Sequence, residues 1–580
     1  MAILRTQLDG VDALIVPGPG DDGAVRAGIS FRVGYADETL ARSGASHLIE
    51  HLALFQFGST DAHVNGTTGE TVTSFFTAGP VDQAADFLRR VCTALGELPF
   101  DRLATEKGIL ETEAAGRRPD LADLLRRRRY GARSRGLGTS AEWGLNVFTP
   151  DYLRAWSARY FTRANAVVWL TGVADPDHLP AIELPLPAGQ PCPLPDLAPL
   201  PLTTPAWMAG PAQGLAWQTF VPRVDAATAY AQVLGRRLHQ VMRQDTGLSY
   251  STQVAYRPID ARYAELTAAC DCQPGKAEPA AGAFLGVLAG LRAGQFDQAE
   301  VASAWRQPDP LGPEAEQDAA DIGQHVFDAL IGRQVVGLAE RQGRPEPAVA
   351  ELWEVAARSW DVALLAAPPQ VQASIALPRL PGWSTSVVAG PGYTGDSGAV
   401  LYLGADGFSL VAPGVRETVR LDDSAALLAW PDGARVLVGV DWARVDIEPN
   451  RYPSPVREAL SRLDAAVGPD LIVAMPPRDP KDIPAARWRW PRQPKISPGL
   501  ANLPAPAAVG RRGPSVWHIV GLIVLVLVFL AFAPATVFMA TQVGTPADTD
   551  DMIVGVVIFG LVAIASAVGV AAIGRVLLRR

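Results

Sequence analysis

Ser46–His47–Leu48–Ile49–Glu50–His51 is the stretch on which the reading of this chain turns. It contains the pattern H-x-x-E-H. On a helix, His47 and His51 are four residues apart and share a face, so both imidazoles can reach one metal ion. Glu50 lies one turn from His47 and beside His51. From there its carboxylate can take a proton from a metal-activated water as that water attacks a peptide carbonyl. The chain holds only 7 His against 60 acidic residues. Chance would produce the pattern in roughly one such chain in several hundred.

Catalytic zinc sites take three protein ligands and keep a fourth position open. Downstream, Glu106–Lys107–Gly108–Ile109–Leu110–Glu111–Thr112–Glu113 offers three carboxylates on a predicted helix. The motif alone leaves open which of them completes the set. H-x-x-E-H followed by a helix with two Glu seven residues apart resembles the pitrilysin/insulinase/mitochondrial processing peptidase family, the inverzincins. Val33–Gly34–Tyr35–Ala36–Asp37–Glu38 is similar to the turn, Val-Gly-x-x-x-Glu, that ends the family's first strand pair.

The resemblance implies zinc held by His47, His51 and Glu113, Glu50 as the catalytic base, and Glu106 as a supporting carboxylate. Glu113 follows His51 more closely than is usual in the family, which keeps Glu111 and Glu106 as alternative ligands. Tyr160–Phe161–Thr162–Arg163–Ala164–Asn165–Ala166 resembles the close of the first family domain. Met242–Arg243–Gln244–Asp245–Thr246–Gly247–Leu248–Ser249–Tyr250–Ser251 resembles a motif of the second. The similarity covers about residues 10–375, one two-domain unit, with no second H-x-x-E-H. Arg243 and Tyr250 are candidate substrate-binding residues; the alternative is that Gly-Leu-x-Tyr forms a turn into a buried strand. The family also implies peptide or unfolded-segment substrates enclosed in a chamber. One two-domain unit encloses half of a chamber, so a homodimer or a related partner subunit is expected.

The fold class expected is α+β: two tandem pitrilysin-like α/β domains, a small β-rich domain and two C-terminal transmembrane helices. Residues 1–185 form the metal-binding domain and residues 206–380 its metal-free counterpart, joined by a Pro/Leu-rich linker. Short apolar runs separated by turn signals make residues 385–475 a β-rich domain, loosely similar to a pleckstrin-homology-like sandwich. Residues 476–514 are a proline-rich linker. Arg126–Arg127–Arg128–Arg129 reads as a solvated helix face or, alternatively, as a contact for anionic lipid or acidic substrate.

Residues 515–540 carry no charge, and residues 552–578 only Arg575. Each run exceeds the roughly 20 residues needed to cross a bilayer. Arg511 and Arg512 precede the first span, Arg579 and Arg580 follow the second, and the loop between holds only acidic charges. The positive-inside rule then expects a multi-pass protein of the cell membrane with its N-terminal domains in the cytoplasm. Four sparse cysteines and an N-terminus without a signal-peptide pattern agree with that compartment. A net charge of -9 leaves no basic surplus for nucleic acid. The rival expectation is a catalytically silent relative acting as a membrane scaffold or partner-binding subunit.

Overall fold

The computed structural model describes residues 3–18, 24–58, 64–196, 199–211, 213–306, 321–382 and 386–485, all within one compact unit. The two expected membrane spans, and most of the linker before them, lie outside these residues. Among the described residues no helix is long and apolar enough to cross a membrane.

The first domain is built on a six-stranded sheet. Its strands are β1 (Leu4–Leu8), β2 (Val11–Pro17), β3 (Val25–Phe31), β4 (Asn65–Thr68), β5 (Thr73–Gly79) and β6 (Ala166–Val173). They lie in the order β1-β2-β6-β3-β5-β4, with β2 and β6 parallel and every other pair antiparallel. One face is covered by α1 (Ala45–Leu54), α2 (Val81–Gly96) and α5 (Pro150–Tyr160). In α2 the buried Ala84, Phe87, Leu88, Val91, Cys92 and Leu95 follow the spacing of one helix face. Fully burying each large side chain in that stripe contributes about 1.5–3 kcal/mol. The other face is covered in part by the helix Ile322–Leu330, whose Val326 packs on Leu14, Val167 and Trp169. Covered on both sides, β6 is apolar nearly throughout and does not alternate. α3 (Leu103–Gly116) stands beside α1, and α4 (Leu121–Tyr130) follows it.

The second domain repeats this plan. β7 (Ala206–Ala209), β8 (Gly214–Pro222), β9 (Thr252–Pro258), β10 (Tyr263–Asp271) and β11 (Leu364–Ala367) lie in the order β7-β11-β8-β10-β9. Here too the first pair is parallel and the rest are antiparallel. The succession matches β2-β6-β3-β5-β4 strand for strand. α6 (Asp225–Leu238) holds the place of α1 and runs into a π-helical turn, His239–Asp245.

Residues 386–485 form two four-stranded sheets. The first is β12 (Gly392–Thr394), β13 (Val400–Leu403), β14 (Gly407–Ala412) and β15 (Val415–Arg420). The second, in the order β18-β17-β16-β19, joins β16 (Ser424–Ala429), β17 (Arg435–Gly439), β18 (Arg444–Ile447) and β19 (Ile472–Ala474). The helix Ser454–Ala466 sets Val456, Leu460 and Leu463 into the core that both sheets share. The outer face of β16, β17 and β19 docks on the first domain. Ala426, Leu428, Val438 and Val473 meet Leu40, Ala41, Ala132 and Leu137 there.

The arginine run of α4 is a structural staple and neither a solvated face nor a lipid patch. Arg126 pairs with the buried Glu265 of β10 at 2.9 Å. The Arg127 guanidinium stacks on Trp442 of the β-rich part, and Arg128 donates to the carbonyls of Pro381 and Gly382. Arg129 donates to Gln218 Oε1 at 3.0 Å and to the Val362 carbonyl at 2.9 Å. Guanidinium groups suit such junctions because a fixed fork of donors satisfies several carbonyls at once.

Candidate active site

The site begins with how α1 starts. Gly44 caps the helix at φ +98°, a left-handed conformation that favours glycine. No cap side chain satisfies the first amides; the Glu38 carboxylate does, accepting from Gly44 N at 2.6 Å and Ser46 N at 2.8 Å. A negative charge here also meets the positive end of the helix dipole. Burial pushes the Glu38 carboxyl up to about 7 in spite of those hydrogen bonds. Leu48, Ile49, Leu52 and Ala53 point into the core, leaving His47, Glu50 and His51 on the opposite side.

α3 supplies the third group. The ligand atoms of His47, His51 and Glu113 all lie within 4.8 Å of one another. His47 Nε2 is 3.6 Å from Glu113 Oε2, and His51 Nε2 is 3.7 Å from Glu113 Oε1. The imidazoles are mostly buried while Glu113 is 45% exposed, so the cluster opens to solvent on its carboxylate side. Glu106, two turns earlier on α3, meets the other nitrogen of His51, Nδ1, at 3.4 Å and is held by Arg102 at 3.2 Å. Glu111 is exposed and, among the described residues, forms no hydrogen bond or ion pair with either imidazole.

Glu50 is buried beside the cluster, and its Oε2 accepts from the Thr68 hydroxyl at 2.7 Å. Burial raises the Glu50 pKa, while the Thr68 hydroxyl and the two imidazoles pull it partly back. Thr68 belongs to β4, the edge strand that crosses close over α1. The approach is possible because Gly66 has no side chain; a Cβ there would stand 2.7 Å from Glu50 Oε1.

Sequence reasoning missed Glu142, whose Oε1 lies 3.0 Å from His47 Nδ1. Arg117 Nη1 donates to the same oxygen at 2.9 Å, and Arg117 Nη2 lies 3.1 Å from His47 Nδ1. Burial alone would lower the His47 pKa, but the Glu142 hydrogen bond and charge outweigh it and raise it. Glu142 moves the other way: its partners His47 and Arg117 overcome burial and lower its pKa. Neither Glu142 nor Arg117 belongs to a spacing pattern; only the folded chain brings them to His47. A cavity of about 170 Å³ beside them is lined by His47, Thr68, Arg117, Ser140 and Glu142.

Arg243 and Tyr250 lie in the second domain, the guanidinium 5.2 Å from the centre of the Tyr250 ring. Asp271 holds their turn, accepting from the amides of Tyr250 and Ser251 and the hydroxyl of Ser249. Tyr250 itself is 75% exposed, which leaves its ring free to meet another molecule. Among the described residues, neither side chain has a hydrogen bond or ion pair to the His47 cluster.

Two imidazole nitrogens and one carboxylate, converging from two helices with an open side, form a donor set that fits zinc. No family model and no curated protein matches the chain. Solved structures do. A protease from Helicobacter pylori aligns at TM-score 0.53 and 16% identity, over 63% of this chain and 98% of that one. An inactive peptidase M16 domain from Pseudomonas fluorescens aligns at 0.53 and 16%, over 66% and 100%. A chain of complex III2 from Candida albicans aligns at 0.53 and 15%, over 65% and 98%. The two α/β domains therefore have the fold of peptidase M16-like proteins. That fold carries both a protease and a domain described as inactive, so activity has to be argued from the site.

Proposed function

We propose that the chain is a membrane-anchored zinc metallopeptidase of the pitrilysin/insulinase type, hydrolysing peptides or unfolded protein segments. The observation that carries this reading is the convergence of His47, His51 and Glu113 beside the buried carboxylate of Glu50. Zinc held by those three side chains supplies Lewis acidity, which acidifies water and polarises a carbonyl. Glu50 accepts the proton of the attacking water and returns it to the departing amine nitrogen. Burial raises its pKa above the ordinary carboxylate value, which strengthens it as a proton acceptor. The Thr68 hydroxyl fixes the direction of the Glu50 carboxylate, and Glu106 orients His51. Arg243 and Tyr250 are assigned to substrate contact, and a homodimer or related partner subunit to completing the chamber. The C-terminal segments anchor the protein in the cell membrane with the catalytic unit in the cytoplasm.

A catalytically silent scaffold is the second reading, favoured by the inactive M16 domain that shares this fold. Metal analysis of detergent-purified protein, with a quenched peptide library assayed on the same samples, separates the two. About one zinc per chain, lost with activity in His51→Ala, supports the peptidase. A wild-type protein that neither retains metal nor cleaves any peptide would leave the scaffold.

A further inference from the structure

We propose that Glu142 is a positioning residue of the metal centre, holding His47 in the tautomer whose Nε2 lone pair is free for the ion, with Arg117 competing for the same ring. The inference rests on the metallopeptidase reading and extends it to two residues outside the motif. His47 Nδ1 has two neighbours of opposite demand. Glu142 Oε1, at 3.0 Å, needs a proton on Nδ1; Arg117 Nη2, at 3.1 Å, needs a lone pair there. One ring cannot serve both. With the proton on Nδ1, Nε2 presents its lone pair toward Glu113, 3.6 Å away. With Nδ1 bare, the proton sits on Nε2 and the ring no longer offers that nitrogen as a ligand. Carboxylates behind ligating histidines act in this way in metal sites generally.

His51 differs in one respect that isolates the role of Arg117. Its carboxylate, Glu106, is also held by an arginine, but Arg102 reaches that carboxylate and the Phe55 ring and, among the described residues, makes no hydrogen bond to His51. The backbone keeps Glu142 in place. A Cβ on Gly44 would stand 2.8 Å from Glu142 Cβ, so Glu142 occupies room that only a glycine leaves. The Ala141 carbonyl accepts from Ser43 Oγ at 3.2 Å. Trp143, next in sequence, packs against the docked face of the β-rich part.

Glu142→Gln and Arg117→Ala both break the Arg117–Glu142 ion pair, so a purely structural role would make them alike. The test is zinc affinity by chelator competition on the full chain, with the visible spectrum of the cobalt-substituted protein as a second readout. Glu142→Gln is expected to weaken binding about 10–100-fold and alter the cobalt bands. Arg117→Ala is expected to keep wild-type affinity or tighten it, and both metal-free variants to unfold at similar temperatures. Should Glu142→Gln not fold, Glu142→Asp withdraws the carboxylate by one methylene and is expected to lower affinity in the same direction. Equal losses in both variants, or wild-type affinity without the Glu142 carboxylate, would overturn the proposal alone. A wild-type chain that binds no metal would overturn it together with the peptidase reading.

Discussion

At the scale of single residues, Glu50 and Glu38 make predictions of opposite kind. Glu50→Gln keeps the shape and removes the base, so kcat/KM should fall by about 10²–10⁴-fold with metal content unchanged. Thr68→Val removes the hydroxyl that favours the Glu50 anion. The acid limb of the pH–rate profile should then move to higher pH, a shift that kcat/KM measured across pH would reveal. Glu38 bears on stability. It titrates at about 7 in the folded chain against an ordinary value of 4.5, so the folded state binds its proton more tightly than the unfolded state. The stability from this group is fully present below 4.5 and lost as pH rises through 7. Glu38→Gln should cancel that loss. The wild-type advantage over the variant, from denaturant midpoints at pH 5 and pH 8, is expected to shrink at the higher pH.

At the scale of elements, the site depends on how closely β4 crosses α1. Gly66→Ala would force a methyl group against Glu50 Oε1 and against Leu54 Cδ1, 2.9 Å away. Either β4 lifts or the carboxylate turns. A displacement of about 1 Å at a catalytic group can cost on the order of 10²-fold in rate. The variant should therefore lose kcat while retaining metal, which parallel activity and metal assays would separate. α3 works by periodicity: Glu106 and Glu113, two turns apart, share the face turned to α1. One meets Nδ1 and the other Nε2 of His51, so a single helix supplies both an orienting and a ligating carboxylate.

At the scale of the molecule, α4 and the β-rich part hold the site from behind. Glu265 is buried between Arg126 and Arg257, at 2.9 and 3.1 Å, and Arg257 also pairs with Glu70 of the first domain at 3.4 Å. Arg126→Ala would leave the buried Glu265 carboxylate with Arg257 but short of one partner, at a cost of about 1–3 kcal/mol readable by denaturant unfolding. Deleting residues 386–475 would expose Leu40, Ala41, Ala132 and Leu137 to water. The deletion should lower the unfolding temperature of the first domain and weaken its metal binding, because Trp143 loses its support beside Glu142. Metal binding and stability unchanged by the deletion would make the β-rich part a separate accessory.

The sequence by itself determined the elements whose signals are local. H-x-x-E-H put two imidazoles on one face of α1. The spacing of Glu106 and Glu113 belongs with these, because helical geometry converts seven residues into a shared face. Short apolar runs separated by turn signals likewise marked the β-rich part. The short strands β1, β4 and β5 were not legible; β4 is four residues of Asn, Gly and Thr that extend only because β5 pairs with them. The π-helical turn after α6 was not legible either, since His239–Asp245 holds no Gly or Pro to signal it. Only the tertiary structure decided that Glu113, not Glu111, faces both imidazoles, and that Glu142 and Arg117 stand behind His47. It also turned the arginine run from a surface feature into the joint between three parts. The physical reason is common to all of these. Hydrophobic period and helix geometry are written in neighbouring residues, whereas burial and charge pairing join groups far apart in the chain and exist only once the chain has folded.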